Sequence, residues 1–333
     1  MKFILLLPFI LSFFVAFFML PHWIRRTQTL KLVGKDINKI EGGEVSESGG
    51  VCVVSGFVLG VLVYIAIITF YFGSKDNVAN ILAVISTVTI ISFIGLLDDL
   101  FGWKIGLSKL TRLFWILMAA VPLIVINVGS SFLLGINIGL LYPLFIIPLA
   151  IVGVSTTFNF LAGYNGLEAG MGVLILGAFS IVSALTGNSW LSIIGLCMIY
   201  SLIAFLIFNK YPAKVLPGNI TTYSVGALIA AMAIIGSFEK FALFIFIPYF
   251  IEIVLKVRGK LKKESFAKPN KDGSIDLLYD KFYGLEHVML WAIKKIKPNH
   301  KVYEYELVFG IWIVQLIFII LGLVIFRTSI FGA

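Results

Sequence analysis

Long apolar runs separated by short polar or glycine-rich breaks follow one another along nearly the whole chain. Against the roughly 20 residues that a helix needs to cross a bilayer, ten such runs qualify, near 3–23, 50–72, 79–97, 111–128, 137–158, 171–187, 190–207, 221–237, 240–257 and 307–326. The pattern predicts an all-α polytopic membrane protein, built as a single membrane domain over 1–333. The first run has one leading lysine, is too long for the apolar part of a signal peptide and has no small-residue cleavage site before Arg25 and Arg26. It therefore reads as a retained span. No repeat of roughly 20–50 residues and no low-complexity segment interrupts the series, and the only long polar stretch is the basic loop 258–306.

Composition agrees with this reading and removes other classes. Of the 333 residues 60% are hydrophobic and 13% charged, and the mean hydropathy is +1.04, outside the range of soluble domains. Cys52 and Cys197 both lie inside apolar runs, so neither a disulfide framework nor a CxxC metal site can be assembled from them. A net charge of +9 would suggest nucleic acid in a soluble protein, but no module interleaving basic and aromatic residues accompanies it, and no nucleic-acid partner is expected. Where the charge falls is more informative. If the segment after the first helix is cytoplasmic, alternation puts 24–49, 98–110, 159–170, 208–220 and 256–306 on the same side. With Arg112 counted beside the second of these, they hold all 26 Lys and Arg residues except Lys2, Lys75, Lys240 and Arg327. Cytoplasmic loops are enriched in basic residues, so both termini are expected outside.

Every polar motif falls on that cytoplasmic face. In FIGLLDDLFGWKIGLSKLTR, residues 93–112, the adjacent Asp98 and Asp99 stand where an apolar run stops. Two ionised carboxylates at the end of a span cost several kcal/mol to desolvate, so they are expected to face a polar cavity, a metal or a cation. The plainer alternative is a helix ending at Leu97 with a solvated loop beginning at Asp98. Lys104 and Lys109 add positive charge to the same mouth. That combination suits Mg²⁺ and phosphate, because hard oxygen ligands hold the metal while lysine offsets phosphate charge.

The stretch NFLAGYNGLEAGMG, residues 159–172, sets Asn159, Asn165 and Glu168 among Gly163, Gly166, Gly170 and Gly172. Glycines let backbone approach a ligand, and a helix starting near Gly170 would offer its N-terminus to an anion. An ordinary turn would explain the glycines, but neither Glu168 nor the lack of any basic residue. In FNKYPAKVLPGNITTYSVGA, residues 208–227, Pro217 and Gly218 make a turn, Asn219 follows, and Thr221 or Thr222 can cap the next helix. That structural account is nearly complete on its own. The loop 259–288 opens with KLKKE, a head equally suited to anionic lipids and to phosphate. His287 is one of three histidines, with His22 and His300, and no HExxH or other metal-ligand spacing exists, so a zinc enzyme is not expected.

Taken in order, GLLDDLFGWK, NFLAGYNGLEAG and KVLPGNITTYSVG resemble the polyprenyl-phosphate N-acetylhexosamine-1-phosphate transferases, over a region from Gly49–Gly50 to Tyr283–His287. AGYNGLEAG is similar to the archaeal and eukaryotic branch that makes dolichyl-diphosphate-GlcNAc, where bacterial relatives have a DGLDGLA-like sequence. The resemblance implies a reaction in which a polyprenyl or dolichyl phosphate attacks the β-phosphorus of a UDP-sugar, with Mg²⁺ present or Mn²⁺ in its place. UMP is released and the sugar stays on a lipid diphosphate, the first step of a lipid-linked glycan pathway such as N-glycosylation. It further implies a cell-membrane location (the ER membrane in a eukaryote), membrane lipids as surroundings and a homodimer as a possible assembly. By the same resemblance Asp98 and Asp99 are the catalytic acids, Lys104 contacts phosphate, and Asn165 and Asn219 belong to the metal site. Substrate contact falls to Asn159, Gly166, Leu167, Glu168, Lys263, Lys268 and His287. Two departures stand out. Asn219 occupies the place of an aspartate that binds Mg²⁺ in many relatives, keeping an oxygen ligand but removing a charge. Loop 259–288 also lacks the arginine-containing and histidine-rich form found elsewhere in the family.

Two alternatives use the same acids differently. A secondary transporter or channel with an ion site at Asp98 and Asp99 would show polar residues near mid-membrane and repeated halves, whereas these motifs lie at helix ends on one side. An intramembrane aspartyl protease needs its two aspartates on separate helices, and these are adjacent.

Overall fold

A computed structural model describes residues 3–40, 43–101, 106–129, 132–133 and 136–331, so the phosphate contact expected of Lys104 lies outside the described residues. Helix α1 (Leu7–Thr29) follows a 3₁₀ turn at Phe3–Leu6, α2 (Gly50–Ala66) runs into a π turn at Ile67–Tyr71, and α3 spans Val78–Leu100. The run predicted over 111–128 is two helices, α4 (Lys109–Ala119) and α5 (Val121–Val125), parted where Pro122 cannot continue a hydrogen-bonded ladder. A π turn at Tyr142–Ile146 leads into α6 (Ile147–Phe158), followed by α7 (Leu167–Leu185), α8 (Ser189–Asn209) and α9 (Gly218–Ile235). The run 240–257 is likewise divided, into α10 (Glu239–Ile245) and α11 (Ile247–Arg258), just before Pro248. Helix α12 (Leu285–Ile296) lies within the basic loop, and α13 (Glu304–Ile325) and α14 (Arg327–Phe331) close the chain.

Among the described residues, seven helices are long and apolar enough to cross a membrane: α1 with its leading turn, α2 with its π turn, α3, α7, α8, α9 and α13. The other three predicted spans are the shorter or broken segments α4–α5, α6 with its π turn, and α10–α11. The protein is an all-α, multi-pass membrane protein, because only helices and closed barrels satisfy every backbone group within lipid. Among the described residues its strands form three short antiparallel hairpins: β1 (Val33–Lys35) with β2 (Glu44–Ser46), β3 (Phe132–Leu133) with β4 (Ile136–Asn137), and β5 (Lys268–Pro269) with β6 (Ile275–Asp276). Ser46 also bridges Val215, which ties the first hairpin to the segment entering α9.

Two helix boundaries bear on function. Helix α3 continues through Leu100, so Asp98 and Asp99 sit in its last turn and no solvated loop begins at Asp98. Helix α7 starts at Leu167 rather than near Gly170, which puts Glu168 in its first turn. Helix α9 is the most enclosed of the seven and packs against α3 and α6. Lipid tails offer no hydrophobic drive between helices, so close backbone approach through small residues replaces it. A Cβ on Gly95 of α3 would lie 2.7 Å from the Ile220 Cα, so the two backbones cross there, one turn before the acids.

Candidate active site

Several polar segments converge on a cavity of about 750 Å³ lined by Glu47, Asp99, Arg112, Asn159, Gly163, Glu168, Asn219, Thr222, Lys256, Lys263 and Phe266, among others. Asp99 is on its wall, whereas the Asp98 side chain is only 2% exposed and lies off it. Asp98 Oδ1 accepts from the Leu107 N–H at 2.8 Å and from Arg112 Nη2 at 3.1 Å. Its Oδ2 meets the same Arg112 nitrogen at 2.9 Å and accepts from Asn219 Nδ2 at 2.9 Å. A buried charge held this fully anchors its neighbours. Asp98, expected as a catalytic acid, here meets Arg112 and Asn219 rather than the cavity.

Asp99 belongs to α3 but caps α9. Its Oδ1 accepts from the Asn219 N–H at 2.8 Å, and its Oδ2 accepts from Ser48 Oγ at 3.1 Å and the Ile220 N–H at 3.4 Å. The carboxylate therefore meets otherwise unpaired N–H groups at the positive end of a helix dipole. Gly218 makes room for it: φ is +71°, and a Cβ there would stand 2.2 Å from Asp99 Oδ2. With its backbone N–H and its Nδ2 each given to one of the two acids, Asn219 keeps Oδ1 free of any donor among the described residues. On the same wall Thr222 Oγ1 donates to Asn159 Oδ1 at 2.8 Å.

Glu168 lines this cavity and a smaller one of about 390 Å³. Its Oε1 accepts from the Gly163 N–H at 2.8 Å, while Oε2 is buried with no hydrogen-bond donor among the described residues. Asn165 lines only the smaller cavity, so it does not share a wall with Asn219. Its Nδ2 donates to Asp36 at 3.0 Å, and its backbone N–H donates to Glu304 Oε1 at 2.7 Å. The Gly166 N–H donates to Asn209 Oδ1 at 3.1 Å. Glu304 and Asn209 thus satisfy the approach to α7, where an anion was expected. Gly166, with φ +86°, and the fully buried Leu167 line neither cavity; they set where α7 begins.

In the basic loop, Lys263 lines the large cavity with its ammonium 4.7 Å from the Tyr279 ring centre. Lys268 does not: it is exposed on β5, whose pairing with β6 forms a hairpin apart from the cleft. His287 is fully buried and also off the wall. Its Nδ1 accepts from the Tyr283 N–H at 3.1 Å and its Nε2 faces the Phe266 carbonyl at 3.4 Å, the pattern of a neutral ring. Burial holds its pKa below the usual value, so the ring braces the loop from behind.

Glu47, Ser48, Arg112 and Lys256 complete the site without having been singled out in the sequence. Burial pushes the Glu47 carboxyl above its ordinary range. The acid-containing EVSES before Gly49–Gly50 was the available signal for Glu47 and Ser48. Nothing in the spacing announces that Arg112 pairs with Asp98 fourteen residues away.

The model of glycosyl transferase family 4 matches residues 81–237, the stretch that carries Asp98, Asp99, Arg112, Asn159, Glu168 and Asn219. A Saccharolobus solfataricus protein provisionally named UDP-N-acetylglucosamine–dolichyl-phosphate N-acetylglucosaminephosphotransferase is 37% identical over 334 residues, covering 98% of each chain. The chain belongs to glycosyl transferase family 4. A Sulfolobus acidocaldarius protein with the same provisional name is 34% identical, covering 97% of this chain and 96% of its own. The UDP-N-acetylglucosamine–dolichyl-phosphate N-acetylglucosaminephosphotransferase of Dictyostelium discoideum is 25% identical over 72% of this chain and 68% of its own. Membership of this family favours a transferase over an ion-coupled transporter.

Proposed function

We propose that the chain transfers N-acetylglucosamine-1-phosphate from its UDP derivative to dolichyl phosphate or another polyprenyl phosphate. The observation that carries this reading is the convergence of Asp99, Asn159, Glu168 and Asn219 on one cavity, in a chain related to proteins named for that reaction. A lipid phosphate oxygen bonds to the β-phosphorus as the bridging oxygen leaves with UMP. The bond change needs little covalent help from the protein, so positioning and charge neutralisation supply the acceleration. Asp99 fixes the start of α9 and lines the cleft, while Asp98 holds Arg112 and Asn219 in place. Incubating the purified protein with Mg²⁺, polyprenyl phosphate and individual UDP-N-acetylhexosamines should release UMP and form a lipid-linked product with UDP-GlcNAc. Release of UMP from none of these sugars would defeat the assignment.

The donor atoms suit Mg²⁺ or Mn²⁺ taken up together with substrate. Among the described residues no three His, Cys, Asp or Glu side chains converge on one point, so the protein alone does not form a cage. Mg²⁺ commonly binds through one or two protein oxygens plus substrate phosphates. Glu168 Oε2 and Asn219 Oδ1, both lacking donors, would hold it here. Bound there, the ion would neutralise diphosphate charge. Asn219→Asp tests the site in an unusual way, because the new carboxylate would face Asp98 where an amide now donates. The variant is expected to unfold at a lower temperature than the parent without divalent ions, and to gain more from added Mg²⁺. Equal Mg²⁺ responses in variant and parent would remove position 219 from the metal site.

The charge distribution supports a cytoplasmic cleft, with the three shorter or broken segments completing ten crossings. Cysteines introduced into 24–40 and 259–303 are then expected to react with a membrane-impermeant reagent only from the cytoplasmic side. Labelling of both regions from outside would reverse the orientation.

A further inference from the structure

Beside the cleft lies a group of buried charges that the transfer described above does not use. Glu252 on α11 and Glu286 in the first turn of α12 are both fully buried. Glu252 Oε2 accepts from the Leu285 N–H, and its Oε1 meets the Lys256 ammonium at 3.4 Å. Neither oxygen of Glu286 has a hydrogen-bond donor among the described residues, and its charge would add to that of the nearby Glu252. A second buried negative charge beside the first is disfavoured, so one of the two carries a proton. With the proton on Glu286, one carboxylate and one ammonium remain, the neutral combination that burial requires. Desolvation, reinforced by the charge of Glu252, pushes Glu286 well above the usual carboxylate range. Tyr164, whose hydroxyl donates to the Ser265 carbonyl, adds no charge to the group.

Lys256 is the member that reaches the cleft. Its side chain is 16% exposed and lines the cavity, and its ammonium donates to Ser265 Oγ as well as facing Glu252. An ammonium has three N–H donors, so the third is left for the cavity. Of the other cations on the wall, Arg112 is paired with Asp98 and Lys263 lies over Tyr279, while Lys262 is exposed at the surface of the basic loop.

We propose that Lys256 binds a phosphate oxygen of a substrate in the cleft, and that Glu252 and Glu286 are positioning residues that hold its ammonium there. The inference rests on the transferase reading and adds to it a cation that the sequence motifs do not include. The phosphate oxygen could come from the nucleotide sugar or from the lipid, and steady-state kinetics on the full-length protein separate the two sources. Lys256→Met is expected to raise KM for UDP-GlcNAc or for the polyprenyl phosphate by about tenfold or more, the loss of one charge-assisted hydrogen bond. The substrate whose KM moves is the source of the oxygen, and Lys256→Arg should recover most of the loss. Glu286→Gln keeps a neutral side chain of the same size and should leave both KM values close to the parent's, whereas Glu286→Ala, which opens a space beside Glu252, should move the same KM as Lys256→Met.

Unchanged KM for both substrates in folded Lys256→Met overturns the contact. Should that variant fail to fold, Glu286→Ala carries the test, and unchanged KM for both substrates there overturns the proposal equally. Equal losses in Glu286→Gln and Glu286→Ala overturn the assignment of a neutral carboxyl to Glu286. A parent protein that releases no UMP overturns the transferase reading and this inference together, while an active parent with unmoved KM values in the variants overturns the inference alone.

Discussion

Asp99→Asn should lower turnover by roughly a hundredfold or more while the protein remains folded, because a charge at the reacting centre acts on the transition state more than on stability. The asparagine that replaces Asp99 retains one oxygen acceptor for the three donors the carboxylate now serves, Asn219 N–H, Ile220 N–H and Ser48 Oγ. Losing part of that cap costs about 1 kcal/mol, too little to unfold the protein. Asp98→Asn should reduce turnover to a similar extent by a different route, since it releases Arg112 and sets its new amide against that of Asn219. Comparing UMP release with thermal unfolding separates the two. Asp99→Asn should lose activity with a nearly parental midpoint, and Asp98→Asn should lose both. Near-normal transfer by both variants would remove the acids from the mechanism.

The apolar runs could be read from the sequence because spanning length is a local property, and each predicted run has a helical counterpart. Their breaks were less evident: only Pro122 and Pro248 mark where α5 and α11 begin, and a proline near a helix start is equally at home in an unbroken run. The motif residues Asp99, Asn159, Glu168 and Asn219 do share one cavity. What the motifs could not convey is the division of labour among them. Asp99 caps a helix by accepting from the Asn219 N–H, 120 residues later, and no spacing rule connects the two. Asn165 and Glu168 are three residues apart, yet only Glu168 reaches the large cavity, because Asn165 lies in the turn before α7 while Glu168 is in its first helical turn. Lys263 and Lys268 looked alike as loop cations until a two-residue hairpin carried one of them away from the cleft. Glu252 and Glu286 escaped notice because their proximity requires α11 and α12 to pack, and neither acid lies in a recognisable motif.

Arg112→Met should be the most destabilising of the single substitutions considered. The Asp98 side chain is 2% exposed, and the guanidinium supplies its only cation among the described residues, at 2.9 Å. Removing one member of a buried pair leaves a charge that cannot be rehydrated without opening the structure, which typically costs 3–5 kcal/mol. Arg112 is itself 31% exposed, so water can reach the vacated space and the lower end, about 3 kcal/mol, is expected. Removing both charges, as Asp98→Asn with Arg112→Met, should recover most of that loss, because no uncompensated ion then remains. Unfolding titrations of the detergent-solubilised parent, both single variants and the double variant give the coupling energy. An Arg112→Met protein as stable as the parent would show that Asp98 does not depend on the pair. Activity in the double variant answers a further question, since Arg112 also lines the cavity. A stable but inactive double variant means that the guanidinium or the acid serves the substrate directly, whereas recovery of both stability and transfer limits the pair to holding Asn219 and the start of α9.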